Sequence, residues 1–450
     1  MREMKDSGIA WIGAIPQDWK IVRTKSLYCS AKEIVGDRAD EFERLALTLN
    51  GVIKRSKEDS VGLQPEKFSG YQILKKGELV FKLIDLENVA TSRVGLSPYT
   101  GIVSPAYIVL SRQSRAKNLV VRYSMYHFLS MWQREIFNQM GDNGVRSSLS
   151  VKELLNIPHP FPSIYEQKRI VAFLDAQCAE IDAVLEKTRE SIEEYKKLKQ
   201  AVITQAVTKG VRGDRTMKDS GIEWIGDIPA EWKVASIGRF CFVTKLAGFE
   251  FTNDMMSSIQ DSGDIPIVRA QNIKMGKFIN NISEFIPYRI SQKLERCALN
   301  RKCLIITFIG AGIGEVAIFN EPKRYHLAPN VAKIVINVGM KHFVTEEYLL
   351  YFLMSFAGQE EINKIKKATA QPSLSMGTIR SIKMVLPDSI EEQSEIVSYL
   401  DMRCASIDAL IAKKQQYHRN RKLQEISDLR VCDGQEGGRI NEPIQQHLEL

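Results

Sequence analysis

The chain has 450 residues, 44% of them hydrophobic and 26% charged, and a formal net charge of +8. That length allows two or three domains with separate cores, and the composition is that of a soluble globular protein. No run of 18 apolar residues is present to span a membrane, and the opening MREMKDSG has no apolar signal segment.

The seven cysteines form no CxxC pair. They read as reduced thiols of a cytoplasmic protein, not as a disulfide frame or zinc site. In chain order, Met4 to Lys20 reads MKDSGIAWIGAIPQDWK, and Met217 to Lys233 repeats it as MKDSGIEWIGDIPAEWK with four differences. Each copy carries two tryptophans, Trp11 and Trp19, then Trp224 and Trp232, which the pattern assigns to packing against a neighbouring element. A variable block follows each copy. In the first block, 75–84 predicts a turn feeding a strand, 101–111 a strand with Pro105 at an edge or bulge, and 119–139 a helix. In the second, 265–273, 302–310, 315–319 and 331–338 predict strands, and 345–367 a helix. Ser148-Leu-Ser150 recurs as Ser373-Leu-Ser375, so the blocks are expected to share one α+β fold.

Each block is followed by a rod. Ser163 and Glu166 have the spacing of a capping box, and Gly210 provides a stop. Between them, Leu174, Cys178, Ile181, Leu185 and Ile192 fall on the a/d seam of a coiled coil, flanked by Glu and Lys. At 1.5 Å per residue the rod is roughly 65 Å long. Such a seam needs a partner, and the chain supplies one: EQKRIVAFLDAQCAEIDA from Glu166 recurs as EQSEIVSYLDMRCASIDA from Glu392. The second seam is Leu400, Cys404, Ile407 and Ile411.

Catalytic patterns are missing. Gly310-Ala-Gly-Ile-Gly314 opens a strand instead of a helix, which favours a tight glycine turn over a dinucleotide site. There is no P-loop, no HExxH, no ligand-spaced histidine pair and no Asn/Asp-Pro-Pro-aromatic tetrapeptide. The chain reads as non-catalytic, with no metal of its own.

SGIxWIGxIPxxW twice, SLS before a segment ending in proline twice, and EQxxIVxxLDxxCAxIDA twice, in this order, resemble the specificity subunit of a type I restriction–modification system. The resemblance covers Met4 to about Gln416. It implies an α+β fold with two similar target-recognition domains, separated by an antiparallel two-helix coiled coil and related by a pseudo-twofold internal duplication. The expected divisions are 1–162 (opening motif and first recognition domain), 163–212 (central helix), 213–388 (repeated motif and second recognition domain), 389–416 (second helix) and 417–450 (divergent tail). By resemblance, the chain binds double-stranded DNA at a bipartite target with a fixed spacer. It would also dock methyltransferase subunits, two by expectation, and a restriction/translocase subunit. S-adenosylmethionine, ATP and Mg²⁺ would belong to those partners and none to this chain.

Base edges are read best by Arg, Lys, Asn and Gln. The DNA-contact candidates are Lys82, Arg93, Asn143 and Arg146 in the first block. In the second they are Arg269, Gln271, Asn272, Lys274, Lys366, Lys367 and Gln371, with Gly312 allowing close backbone approach. After Ile411 the seam positions turn polar (Lys414, His418, Arg421, Glu425), and the rod loses its pattern after Gln416, so 417–450 is expected to be largely disordered. A single-base frameshift near Gln416 would explain this, making the chain a truncated or frameshifted, inactive specificity subunit. A third alternative is a duplicated-domain scaffold that does not bind DNA.

Overall fold

Both copies of the opening motif fold into the same hairpin, Met4–Asp6 against Ala14–Pro16 and Met217–Asp219 against Asp227–Pro229, in matching register. These belong to a computed structural model describing residues 2–49, 51–58, 67–84, 86, 93–140, 148–367 and 373–434, without the side chains of 365–367. Two compact units result: residues 1–188 with 415–450, and residues 189–414. They cut across both rods, which the sequence divisions treat as separate segments.

In the first unit, Lys20–Arg23 leaves the hairpin and pairs antiparallel with Pro158–Phe161. Between them lie two four-stranded sheets. One runs Tyr28–Cys29, Ile108–Arg112, Leu79–Phe81, Val94–Leu96, all antiparallel. The other runs Gly51–Arg55, Arg44–Thr48, Gly101–Val103, Gln72–Leu74, with its middle pair parallel. Residues 101–111 therefore form two strands in different sheets, parted by a turn at Pro105 that cannot donate to a ladder. The expected helix over 119–139 is broken into Val121–Gln133 and Ile136–Met140 by Glu135, which has φ 56.

The second unit follows the same plan. Lys233–Ser236 pairs antiparallel with Lys383–Leu386. One sheet runs Cys241–Lys245, Val331–Ile336, Cys303–Thr307, Val316–Phe319. The other runs Phe285–Ile286, Ile265–Val268, Tyr325–Leu327, Ala298–Leu299, again with its middle pair parallel. Two blocks with little sequence in common thus share one topology. Residues 345–367 form two helices, Glu346–Met354 and Phe356–Lys367. The break follows from packing: a Cβ at Gly358 would lie 2.2 Å from the Phe352 carbonyl oxygen. The SLS serines also match. Ser150 and Ser375 cap the short helices Val151–Asn156 and Met376–Ser381, while Leu149 and Leu374 are buried.

Two long helices carry the repeated EQxxIVxxLD sequence, Ile164–Lys209 and Ile390–Asp428. Ser163 and Ser389 cap them as expected, each accepting from a backbone N–H at 3.2 Å. The glutamate of each expected box acts elsewhere. Glu166 accepts from the Trp19 indole at 2.9 Å and pairs with Arg2; Glu392 accepts from the Trp232 indole at 3.1 Å and pairs with Arg215. The following glutamine caps a helix of the block. Gln167 Oε1 accepts from Val120 N at 2.8 Å, and Gln393 Oε1 from Thr345 N at 3.1 Å. Downstream, Asp175 and Asp401 accept from Tyr126 and Tyr351 hydroxyls, both at 2.6 Å.

Within the second unit the two helices run antiparallel: Lys199 pairs with Asp408 at 2.6 Å, Arg212 with Glu395 at 2.7 Å, and Lys414 lies over the Tyr195 ring. Ile192, Leu400, Cys404 and Ile407 are buried and Ile411 half-buried. In the first unit, Leu174, Ile181 and Leu185 are buried, Cys178 half-buried, and Ile170 and Leu174 cluster with Leu429 and Cys432. Desolvation, with Glu425 and Asp428 among the nearby carboxylates, pushes the Cys178 thiol up to about 12.

The tail corrects the sequence reading. The second helix does not end at Gln416: it runs to Asp428 and continues as a 3₁₀ turn, Leu429–Asp433, closed by Gly434 at φ 85. Residues 435–450 lie outside the described residues. The polar seam positions Lys414, His418 and Arg421 are half-buried and Glu425 is buried. Apolar anchoring resumes beyond them, with Leu429 and Cys432 packed beside Trp19, Tyr123 and Leu174. Tyr123 donates to the carbonyls of Pro160 (3.1 Å) and Cys432 (2.9 Å); Tyr348 does the same to Val207 (3.1 Å) and Val385 (3.0 Å). Residues 429–433 therefore serve the first unit as the end of the central helix serves the second. Buried Asp433 adds a bond to His127 Nδ1 at 2.9 Å and an ion pair with Arg134 at 2.6 Å. The sequence as it stands thus supplies a helix and a turn that pack in the first unit.

Two consequences are measurable. Leu429→Ala is expected to cost about 2–5 kcal/mol by urea unfolding, with lost amide protection around residues 164–180. Glu392→Gln is expected to cost about 1–3 kcal/mol by removing a nearly buried charge partner of Arg215 and leaving it only Glu231. Glu166→Gln should cost less, since Arg2 is 45% exposed.

Candidate nucleic-acid interface

In the second unit three predicted features converge. The Gly310–Gly314 turn joins Cys303–Thr307 to Val316–Phe319, with Gly310 at φ 98 and Gly314 at φ 93. Gly314 N donates to Thr307 O at 3.0 Å and Glu315 N to Gly312 O at 2.9 Å, which makes this the expected tight turn. Nothing lies within 4 Å of where a Gly310 Cβ would stand, so backbone is open to close approach there. The small hairpin Ile273–Lys274 with Lys277–Phe278 lies beside it, joined by Gly276 N to Val316 O at 2.8 Å and by Lys274 with Glu315 at 3.5 Å. The helix Phe356–Lys367 joins through Gln359 Nε2, which donates to Gly314 O at 3.2 Å.

Individual candidates divide by burial. Gln271 and Lys274 are exposed beside this turn, and Gly312 is half-buried within it. Asn272 is a correction. It is buried, its Oδ1 accepts from Arg269 N, and its Nδ2 donates to the Ile279 and Asn281 carbonyls, all at 3.0 Å. With amide and carbonyl both committed, it closes a loop and has nothing left for a base. Arg269 is half-buried with Nε 2.7 Å from Glu284 Oε2. Lys366 and Lys367 lie on the helix Phe356–Lys367, their side chains outside the described residues, as is Gln371.

In the first unit, Lys82 is half-buried just after the strand Leu79–Phe81. Arg93 is a second correction: it is fully buried and donates to the Leu86 carbonyl at 2.9 Å. A guanidinium enclosed within the fold cannot reach a base edge. Asn143 and Arg146 lie outside the described residues. Ile84 bridges Ser148, as Ile309 bridges Ser373 in the second unit, so the loops carrying the candidates leave equivalent points of the two folds.

Positive charge is partly neutralised. Lys54 pairs with Glu43 at 2.6 Å, and Arg324 pairs with Glu295, holding that carboxyl below its usual range. Sequence inspection passed over Arg301 and Lys333, which share a pocket at the edge of the second unit's antiparallel sheet; their separation in sequence leaves no motif to find. Among the described residues, no group of three or more His, Cys, Asp or Glu could hold a metal, and no helix is long and apolar enough to cross a membrane.

The chain is similar in sequence and in fold to known proteins. Residues 229–416 match the family described as the type I restriction modification DNA specificity domain. The chain is 24% identical over 411 residues to the type I restriction enzyme MjaVIII specificity subunit of Methanocaldococcus jannaschii, covering 89% of each. It is 24% identical over 266 residues to the EcoBI specificity subunit of Escherichia coli, covering 58% of this chain and 54% of that one. A chain in a solved structure concerning assembly and conformational transition of the type I R-M system has a similar fold. Its TM-score is 0.66 at 15% identity, covering 93% of this chain and 98% of that one.

The contrast between neighbours gives a test. Asn272→Ala is expected to lower stability by about 1–3 kcal/mol, because three hydrogen bonds made by a buried amide are lost. Lys274→Ala is expected to change stability by less than about 0.5 kcal/mol in the same urea titration, while weakening duplex binding.

Proposed function

From its similarity to the specificity subunits of type I restriction–modification systems, we propose that the chain belongs to that family and binds duplex DNA at a two-part target, one half-site to each recognition block. It is a non-catalytic DNA-recognition component. The observation that carries the reading is one topology built twice from unlike sequences, each copy held to the long helices by the same Glu, Gln and Asp contacts. Repetition of the mount with variation of what is mounted suits two readers of different half-sites. The helices would then set the unread spacer, as dimer geometry sets half-site spacing in other DNA-binding proteins. Each mismatched base pair would cost about 1–3 kcal/mol.

On this reading the helices also dock methyltransferase subunits, and a restriction/translocase subunit completes the complex. S-adenosylmethionine, ATP and Mg²⁺ would act on those subunits, in the cytoplasm. Mapping methylated adenines in cells with and without the gene tests this. One bipartite motif with a constant gap is expected to lose methylation when the gene is deleted. An unchanged methylation map, with the chain expressed and no methyltransferase subunit co-purifying, would favour the scaffold or the inactive subunit.

A further inference from the structure

In the second unit, Lys333 projects from the central strand Val331–Ile336 into an open pocket of about 420 Å³ lined by Phe242, Glu295, Arg296, Asn300, Arg301 and Lys333. The lysine is only 6% exposed, and its one hydrogen-bond partner among the described residues is the Ala298 carbonyl at 2.6 Å. An ammonium has three donors, so two remain. A charge this enclosed ordinarily requires a counter-charge.

The other charged groups facing it do not provide one. Glu295 pairs with Arg324 and accepts from Asn300 Nδ2 at 3.1 Å. Arg296 is committed to Glu250, to Thr244 Oγ1 at 3.0 Å and to Lys245 O at 2.6 Å. Arg301 is exposed at the pocket rim and, among the described residues, pairs with no carboxylate. Phe242, 47% exposed, forms an apolar wall. Desolvation pushes the lysine amine down, with Arg301 acting in the same direction and Glu295, already shared with Arg324, acting weakly against them; an anion bound there would oppose the desolvation and the Arg301 charge.

We infer that this pocket is a phosphate site, with Lys333 on its floor and Arg301 at its rim holding one backbone phosphodiester of duplex DNA. The inference rests on the DNA-binding reading above. A compact ammonium and a planar guanidinium together suit a phosphate, the first as a point charge and the second as a fork. Such a contact orients the block on the duplex and carries no sequence information.

The test uses the full chain and duplexes with and without the methylated motif, followed by fluorescence anisotropy across a salt series. Lys333→Met and Arg301→Gln are each expected to weaken both duplexes by a similar factor and to lower the log–log salt slope by about one. Arg301 is exposed, so its variant keeps the test valid if Lys333→Met fails to fold. Unchanged slopes in Arg301→Gln and in folded Lys333→Met, with wild-type target preference intact, would overturn the phosphate site and leave the DNA-binding reading standing. Absence of duplex binding by the wild-type chain would overturn both. Inorganic phosphate titrated alone distinguishes the remaining source. Submillimolar binding lost in the variants, with their DNA slopes unchanged, would make this a free-anion site and overturn the DNA assignment.

Discussion

A tryptophan N–H donating to the carboxylate in the first turn of each long helix is the contact on which the rest depends. It is made by Trp19 with Glu166 and by Trp232 with Glu392. Both indoles are almost wholly buried, with Arg2 and Arg215 supplying the counter-charge. A carboxylate paired and hydrogen-bonded in this way, buried at Glu392 and half-buried at Glu166, is strongly directional, and losing it would leave a buried indole donor without its acceptor. It fixes the hairpin to the helix, and the adjacent glutamine then fixes the helix to the recognition block. The long repeated motif is thus explained residue by residue: Glu for the indole, Gln for a helix start, Leu for the seam and Asp for a tyrosine hydroxyl.

Much of this was legible beforehand, for a physical reason. Contacts that recur in both units leave matching residues in both halves, and the seam shows through the spacing of its apolar side chains. The shared fold of the blocks was legible only through Ser148–Ser150 and Ser373–Ser375, whose caps need a serine whatever the surrounding sequence. The role of Glu166 was misassigned because a capping box and an indole acceptor require the same residue at the same place. Broken helices at Glu135 and Ser355 were missed because apolar residues resume directly after each break.

The tail shows where periodicity fails as a guide. Lys414, His418, Arg421 and Glu425 interrupt the stripe, yet Lys422 with Glu425 at 2.6 Å and Arg421 with Tyr417 at 2.9 Å provide polar contacts along the helix until Leu429 and Cys432 restore apolar anchoring. The base-reading candidates failed differently. Residue type selects groups capable of contacting DNA, but not their exposure, and Arg93 and Asn272 spend their donors on nearby carbonyls. Lys333 and Arg301 are the converse, ordinary in sequence and brought together only by the sheet.

Residues 429–433 complete the first unit although they are made more than two hundred residues after the end of its main segment at Thr188, whereas the second unit is one uninterrupted stretch, Arg189–Lys414. During synthesis the second unit can therefore mature as soon as it leaves the ribosome. The first must wait, with Trp19 and Tyr123 lacking their last neighbours, until residues 429–433 have been made. The usual N-terminal-first order of maturation is reversed, and a nascent chain stalled before residue 429 would carry a finished second unit and an unsealed first one.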